Sequence, residues 1–211
     1  MITKLSIQKG NPGRVNVYLD GKFAFGIPKD AAAGLKTGQE LTESEIEKLQ
    51  ERDQEDRALS SALRSLNRRL QSESELQKKL IQKGFSPDQI ESVMERLKEN
   101  HLIDDNSFSA MWVENQTAFR PRSKRMLTLE LKRKGVSEEN IRESLKDLDE
   151  EKAALDCGLR YVKRLQGLDR PNFQKKLSAY LARRGFGYEL IDQTVHTLWA
   201  DIQNSEKDSI L

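Results

Sequence analysis

Cysteine, histidine and long apolar runs are scarce in this sequence of 211 residues, and each scarcity excludes a class of protein. The one cysteine, Cys157, excludes an internal disulfide and a multi-cysteine zinc site. The two histidines, His101 and His196, stand far apart and outside any ligand-spaced cluster, so we expect no metal and no cofactor. No apolar run approaches the ~18 residues of a membrane span, and the first residues lack the apolar core of a signal peptide. We therefore expect a cytoplasmic protein without a membrane partner.

Motifs of known catalytic sites are also missing from the sequence, which has no phosphate-binding glycine loop and no nucleophile elbow. The adjacent carboxylates Asp104-Asp105 precede an apolar helical stripe, where aspartate normally caps a helix. Cys157 has no nearby histidine, so we expect it to be a core residue. Trp112 and Trp199 fall on apolar helical stripes, which favours packing over stacking on nucleic-acid bases. We predict a protein that is not an enzyme and has no small-molecule substrate.

The N-terminal residues 1–41 alternate apolar and polar side chains, as strands do. Asp20-Gly21 lies between two alternating runs and predicts a tight hairpin, because the turn needs positive φ at both central residues. We predict a small sheet of about three strands. From Thr42 onward the pattern becomes helical, since Thr42 and Glu45 form a capping box ahead of an apolar stripe.

An internal repeat is the strongest signal in the remaining sequence. When Gly84, Gly135 and Gly185 are aligned, about 50 residues apart, leucines stand four and eight positions before each glycine and an isoleucine six positions after it. Leucines four apart share one helical face, and a glycine after them fits the left-handed residue that ends a helix. The aligned leucines are Leu76 and Leu80, Leu127 and Leu131, and Leu177 and Leu181.

Each repeat is predicted to contain three helices, because an amphipathic stretch precedes the leucine helix and a capped helix follows the glycine. Three short helices bury little apolar surface alone, so neighbouring repeats should complete one another's cores. We predict a mainly α protein of tandem three-helix repeats in an elongated, curved array, with a small N-terminal β element. The predicted segments are the β element at 1–41 and helical repeats at 42–100, 101–150 and 151–211.

Charge is unevenly distributed although 36 basic residues nearly balance 34 acidic ones. The middle helix of each repeat is basic, and its flanks are acidic. Cations in the last turn complement the helix dipole, which accounts for Lys83, Lys134 and Arg184 without any partner. The dipole does not account for four cations predicted in or near the first turn, namely Lys124, Arg125, Lys175 and Lys176.

The loop Arg120-Pro121-Arg122-Ser123 adds two more cations at the start of the second leucine helix. Proline stiffens this loop, serine is a suitable N-cap, and the first backbone N–H groups of the helix favour anions. These features favour an anionic partner surface, which is either a phosphate backbone or an acidic protein, over a plain solvated face.

The repeats and the basic loop together resemble the RecX family of bacterial recombination regulators. The residues that carry the resemblance lie in order along 57–198, and residues 1–41 are similar, more weakly, to the β extension of longer members. They are Leu102-Ile103-Asp104-Asp105, Phe108, Trp112, Arg120-Pro121-Arg122-Ser123, Leu127, Glu130-Leu131, Lys134-Gly135-Val136, Leu181, Arg183-Arg184-Gly185-Phe186 and Tyr188.

The resemblance implies a protein of tandem three-helix units that lodges in the groove of the RecA filament on DNA. Such a protein inhibits RecA ATP hydrolysis and strand exchange, and so regulates homologous recombination, DNA repair and the SOS response. The expected partners are the RecA filament and single- or double-stranded DNA, and we expect a monomer. The candidate filament- and DNA-binding residues are Arg120, Arg122, Lys124, Arg125, Arg133, Lys134, Lys175, Lys176, Arg183 and Arg184.

The first repeat departs from the other two in its leucine helix. Ser74 stands where they have Arg125 and Lys175, and Gln82 where they have Arg133 and Arg183. We therefore expect a weaker contribution to binding from this repeat.

Two other functions are compatible with the same residues. One is a stand-alone DNA-binding protein that acts through its basic helices without a protein partner. The other is a helical scaffold whose acidic and basic faces pair with copies of itself.

Overall fold

The computed structural model describes the backbone of residues 1–208 and the side chains of residues 1–203. The chain forms two compact units: unit 1 comprises Met1–Gln71 and Glu75–Ile103, and unit 2 comprises Ser72–Ser74 and the chain from Asp104 onward. The strands are β1 (Ile2–Gln8), β2 (Asn11–Leu19) and β3 (Lys22–Pro28). The helices of the described residues are α1 (Glu43–Leu66), α2 (Glu73–Gln82), α3 (Pro87–Glu99), α4 (Asp105–Phe119), α5 (Lys124–Arg133), α6 (Glu138–Leu145), α7 (Glu150–Val162), α8 (Arg170–Arg183) and α9 (Tyr188–Asp208).

The N-terminal sheet is antiparallel in the order β1-β2-β3. Asp20 and Gly21 both have positive φ, at 48° and 79°, and join β2 to β3. This confirms the predicted hairpin, because the paired-positive turn matches the twist of the two strands. Pairing sets Val15 opposite Ile27 and Val17 opposite Phe25, and this register places all four side chains in the core of the sheet.

Helix α1 contributes to two cores. Its N-terminus has the predicted capping box, in which Thr42 and Glu45 each accept a backbone N–H from the other. Ile46 and Leu49 pack on the buried face of the sheet. Further along the helix, Ala58 and Ala62 pack with the leucines of α2 and with α3. The sheet is therefore joined to the first repeat by a continuous helix.

Three-helix repeats form the rest of the described residues, as predicted: α1–α3, α4–α6 and α7–α9, each with its own apolar cluster. The aligned leucines of the middle helices are at most 1% exposed. Gly84, Gly135 and Gly185 have φ of 81°, 80° and 91°, which confirms the predicted left-handed residue after each middle helix. The next helix begins at once, with Ser86 and Ser137 as N-caps.

The residues assigned to packing and capping lie as expected. Asp104 is the N-cap of α4, and the Asp105 carboxylate accepts the backbone N–H of Glu73 at the start of α2, at 2.9 Å. Cys157 is 1% exposed, and the Trp199 ring packs on Phe173 with ring centroids 5.0 Å apart. Across the part of the chain that the structure describes, no helix combines the length and hydropathy that crossing a bilayer requires.

The prediction that Lys175 and Lys176 lie in or near the first turn of the third middle helix is wrong. Helix α8 begins at Arg170, and the Asp169 side chain caps it by accepting the N–H of Asn172 at 3.1 Å. Lys175 and Lys176 therefore lie beyond the first turn of α8, where the dipole opposes a positive charge only weakly. The helix dipole therefore gives no reason to expect that Lys175 and Lys176 bind a partner.

Candidate nucleic-acid interface

The start of α5 and the end of α8 meet within unit 2. The backbone N–H of Ser123, the N-cap of α5, donates to the carbonyl of Arg184, the C-cap of α8, at 3.2 Å. A Cβ on Gly185 would lie 2.5 Å from Ser123 Oγ and 3.0 Å from Met126 Cβ. Glycine is thus required at this position both by its positive φ and by the close approach of α5.

A related contact occurs at the end of α5. Ser72 Oγ donates to the carbonyl of Lys134 at 2.5 Å, and a Cβ on Gly135 would collide with the Ser74 side chain. In both places a glycine that ends one middle helix lies against the start of another. Arg122, just before α5, and Arg183 and Arg184, at the end of α8, therefore converge in space, although they are far apart in sequence.

This convergence forms an open cleft of about 530 Å³. We call it the arginine cleft; it is lined by Arg122, Met126, Tyr161, Arg164, Tyr180, Arg183 and Arg184. Four guanidinium groups and no carboxylate line it. Arginine presents a planar fork of N–H donors that matches phosphate oxygens, so the lining suits an anion with phosphate chemistry.

The electrostatics of Arg122 reflect this crowding. Partial burial, followed by the positive charges of Arg184 and Arg120, lowers the pKa of the Arg122 guanidinium below its usual value. The cation is still protonated at neutral pH, but its neighbours oppose its charge. An anion in the cleft would relieve that repulsion.

Glu130 compensates part of the charge from the side of α5. Its carboxylate forms an ion pair with Arg122 and accepts the Trp112 indole N–H at 3.3 Å. Lys134 Nζ lies 4.0 Å from the centroid of the same indole ring, a cation–π contact. Trp112 is half-buried and packs against the core of α4–α6, which agrees with the predicted packing role, and these contacts hold Arg122 and Lys134 in place.

Two tyrosines form a rigid wall of the cleft. The rings of Tyr161 and Tyr180 are stacked, with centroids 4.0 Å apart and planes at 4°. Arg184 lies over the Tyr180 ring, with Cζ 5.1 Å from its centroid, and Nη2 donates to the Tyr180 hydroxyl at 3.2 Å. The guanidinium is thereby oriented before any ligand arrives, which lowers the entropy cost of binding.

The predicted anion site at the backbone N–H groups of α5 is already occupied by the protein. Ser123 Oγ accepts the N–H of Met126 at 3.1 Å, and the Glu150 carboxylate accepts the N–H of Lys124 at 3.0 Å. An external phosphate would have to displace these acceptors. The expectation that the helix start itself binds an anion is wrong, and the side chains around it form the candidate site.

Of the ten candidate residues, three line the arginine cleft: Arg122, Arg183 and Arg184. Arg120 is the exposed C-cap of α4, and its charge reaches Arg122. Lys124 and Arg125 are the first residues of α5, while Arg133 and Lys134 are at its end. Lys175 and Lys176 are exposed on α8 outside the cleft.

Four cleft residues were not among the candidates: Met126, Tyr161, Arg164 and Tyr180. The only sequence signal for Arg164 is its place in a basic run, but that run also contains Arg160, whose guanidinium donates to the carbonyls of Ala118 and Phe119 at 2.8 and 2.9 Å. Charge alone does not separate the cleft arginine from the arginine that caps α4.

Among the residues that the structure describes, no group of histidine, cysteine, aspartate or glutamate side chains is arranged to hold a metal ion.

Four family models match successive parts of the chain. They are the regulatory protein RecX N-terminal domain over residues 1–42, and the first, second and third RecX three-helix domains over 58–97, 104–145 and 149–195.

Individual relatives support the same assignment. The regulatory protein RecX of Bacillus licheniformis is 30% identical over 210 residues, which cover 97% of this chain and 79% of the relative. That of Clostridium perfringens strain 13 is 31% identical over 207 residues, covering 93% and 95%.

Solved structures agree in fold. A crystal structure of regulatory protein RecX has a TM-score of 0.69 and 26% identity, covering 92% of this chain and 97% of that one. A crystal structure of RecX from Lactobacillus salivarius, at 21% identity and a TM-score of 0.60, covers 69% and 97% and shows the fold alone. Since the family models together span most of the sequence and the relatives match over nearly its whole length, this chain belongs to the RecX family of regulatory proteins.

Proposed function

We propose that this chain is a non-enzymatic regulator that binds the RecA filament on DNA and inhibits RecA ATP hydrolysis and strand exchange. Membership of a family of regulatory proteins supports the regulatory role, and the resemblance noted from the repeat motifs supplies RecA as the partner. The proposal includes action as a cytoplasmic monomer, which size-exclusion chromatography with light scattering tests for the oligomeric state.

The arginine cleft is the observation that carries the proposal. Four guanidinium groups converge there, and Glu130 is the carboxylate that pairs with one of them. The remaining positive charge suits the phosphate backbone of the DNA inside a filament. Arg164 and Arg183 are exposed, so they are accessible to such a backbone.

The deciding experiment measures RecA ATP hydrolysis on single-stranded DNA with substoichiometric amounts of this protein. We expect inhibition by the wild type and weaker inhibition by Arg164→Gln/Arg183→Gln. The matched control is Arg142→Gln/Lys152→Gln, which removes two exposed charges of unit 2 outside the cleft. If wild type and cleft variant inhibit equally, the cleft is not the contact.

A stand-alone DNA-binding protein is the second candidate function, because the same cleft suits naked DNA as well. Fluorescence anisotropy with a labelled oligonucleotide, alone and within a RecA filament, separates the two. Tight binding to naked DNA without any effect on RecA ATP hydrolysis would favour this alternative.

A further inference from the structure

A second basic cleft lies in unit 1, where the sheet meets the first repeat. It has a volume of about 510 Å³ and is lined by the cations Arg14, Arg57, Arg64 and Lys83 together with neutral polar groups such as Asn11 and Ser60. We call it the first-repeat cleft. No acidic side chain lines it.

Helix α1 builds one wall of this cleft. Arg57, Ser60, Ser61 and Arg64 follow the i, i+3, i+4, i+7 spacing of one helical face. Their hydroxyl and guanidinium donors therefore point to the same side, while Ala58 and Ala62 are fully buried in the repeat core. This arrangement differs from an ordinary solvated face, in which acidic and basic residues alternate.

The charge of α1 changes sign along this face. Toward its N-terminus a neighbouring cleft contains Glu47, Glu51 and Asp53. Arg14 and Arg57 lie at the boundary and line both clefts. The Asp53 carboxylate forms an ion pair with Arg14. Arg14 Nη2 lies 2.5 Å from Asp53 Oδ1 and 3.0 Å from the carbonyl oxygen of Gly26. Arg14 is therefore neutralised and positioned.

Arg57 and Arg64 are exposed, and neither forms an ion pair within residues 1–203. The positive electrostatic potential of the cleft therefore comes from these two side chains.

Helix stability accounts for only part of this set. Arg64 is in the last turn of α1 and complements its dipole, but Arg57 is more than one turn further from the end. Lys83 Nζ donates to Ser61 Oγ at 2.5 Å, a neutral partner that leaves its charge uncompensated.

We infer that the first-repeat cleft is a second binding site for the phosphodiester backbone of DNA, to which the N-terminal sheet contributes Asn11 and the positioned Arg14. Arginine, lysine, serine and asparagine are the side chains that proteins use on phosphate oxygens. An acidic protein partner is less compatible, because a protein interface needs an apolar centre and this lining is mostly polar.

The inference deepens the proposed function and rests on it only for the choice of DNA as the polyanion. It also revises the expectation that the first repeat contributes weakly. That expectation considered the leucine helix alone, whereas most of these cations lie on α1 and the sheet.

The test measures anisotropy of a fluorescein-labelled thirty-nucleotide oligo(dT) against NaCl concentration, with the full chain. Arg57→Gln/Arg64→Gln/Lys83→Gln should lower affinity about tenfold to a hundredfold near 0.1 M salt and reduce the slope of log affinity against log salt by about 2. The matched control Lys48→Gln/Lys78→Gln/Arg96→Gln removes three exposed unit 1 charges outside the cleft and should change the slope by well under one.

Asn11→Asp is a second variant that does not depend on removing cations. It is isosteric and places a carboxylate in the lining, so it should weaken oligonucleotide binding while the melting temperature stays at the wild-type value. If both the triple variant and Asn11→Asp bind like wild type, the inference is overturned. If they bind naked oligonucleotide normally but lose the RecA filament, the cleft holds an acidic protein surface and the inference is equally overturned.

RecA ATP hydrolysis, measured with the same proteins, keeps the two proposals distinct. Failure of the wild type to inhibit hydrolysis removes the proposed function. The salt dependence of oligonucleotide binding tests DNA binding by the first-repeat cleft without reference to RecA.

Discussion

The two units contain the same glycine motif but use it differently. In unit 1, Gly84 ends its middle helix at positive φ and faces open space, with no atom within 4 Å of a Cβ at that position. In unit 2, Gly135 and Gly185 end their helices in the same conformation, and each also lies against the start of another helix. A single sequence signal thus terminates all three helices, but in unit 2 it also brings helices into contact.

The cations differ between the units in the same way. In unit 2, helix contact at Gly185 brings arginines at the start of α5 and at the end of α8 together in the arginine cleft. In unit 1, one face of α1 supplies two arginines without an ion-pair partner, whereas the arginine from the sheet is paired with Asp53. Similar charge is therefore concentrated by tertiary contact in one unit and mainly by helical periodicity in the other.

Deleting residues 1–41 should have the largest effect and should destabilise unit 1 selectively. The deletion exposes Ile46 and Leu49 and leaves the largely buried Asp53 without Arg14. Removal of one partner from such a pair, with the lost apolar burial, should cost about 3–5 kcal/mol. Amide hydrogen exchange should become faster in α1 to α3 and stay unchanged in α7 to α9. The full-length variant Asp53→Asn measures how much of the lost stability comes from the ion pair alone. Unchanged exchange in α1 would show that the sheet does not support the first repeat.

Gly135→Val should lower the free energy of unfolding by about 2–5 kcal/mol, because strain at positive φ adds to a collision with Ser74. Gly84→Val should cost only about 1–2 kcal/mol, since the conformational strain is the same and the space is open. Urea denaturation of both variants measures the difference. Equal losses would mean that crowding at Gly135 contributes nothing.

Arg122→Ala should destabilise the protein by about 1–3 kcal/mol, because it leaves the 13% exposed Glu130 side chain without its ion-pair partner. Arg125→Ala is the matched comparison: Arg125 is exposed near the start of α5, where a cation opposes the dipole, so its removal should be neutral or slightly stabilising. Thermal unfolding of the two variants checks this. A loss of stability in both alike would contradict the structural role assigned to Arg122.

The smallest expected effect concerns Cys157, the sole thiol, which lies in unit 2. Burial raises the pKa of this thiol, while Arg184 and Tyr180 oppose the shift, so native labelling by a thiol reagent should be slow. Gly84→Val should leave the labelling rate within about twofold of wild type, and Gly135→Val should increase it. Rapid labelling in Gly84→Val would show that strain in unit 1 opens unit 2.

Local features of this fold were predictable because short-range physics determines them. The hairpin at Asp20-Gly21, the capping box at Thr42 and the left-handed glycines each depend on residues within a few positions of one another. The positions of Lys175 and Lys176 relative to the start of α8 were misjudged, because Asp169 caps the helix ahead of the segment aligned with the other repeats. The division into four segments stays a prediction.

The sequence by itself determined the helical repeat, its buried leucines and the basic character of its middle helices, since periodicity and composition act along the chain. Only the tertiary structure decided which cations act together. Arg122, Arg164 and Arg183 share a cleft because α8 ends against the start of α5, and Arg160 is excluded because it caps α4. Glu150 likewise fills the expected anion site at α5. Such outcomes depend on contacts between residues distant in sequence, which neither charge nor spacing specifies.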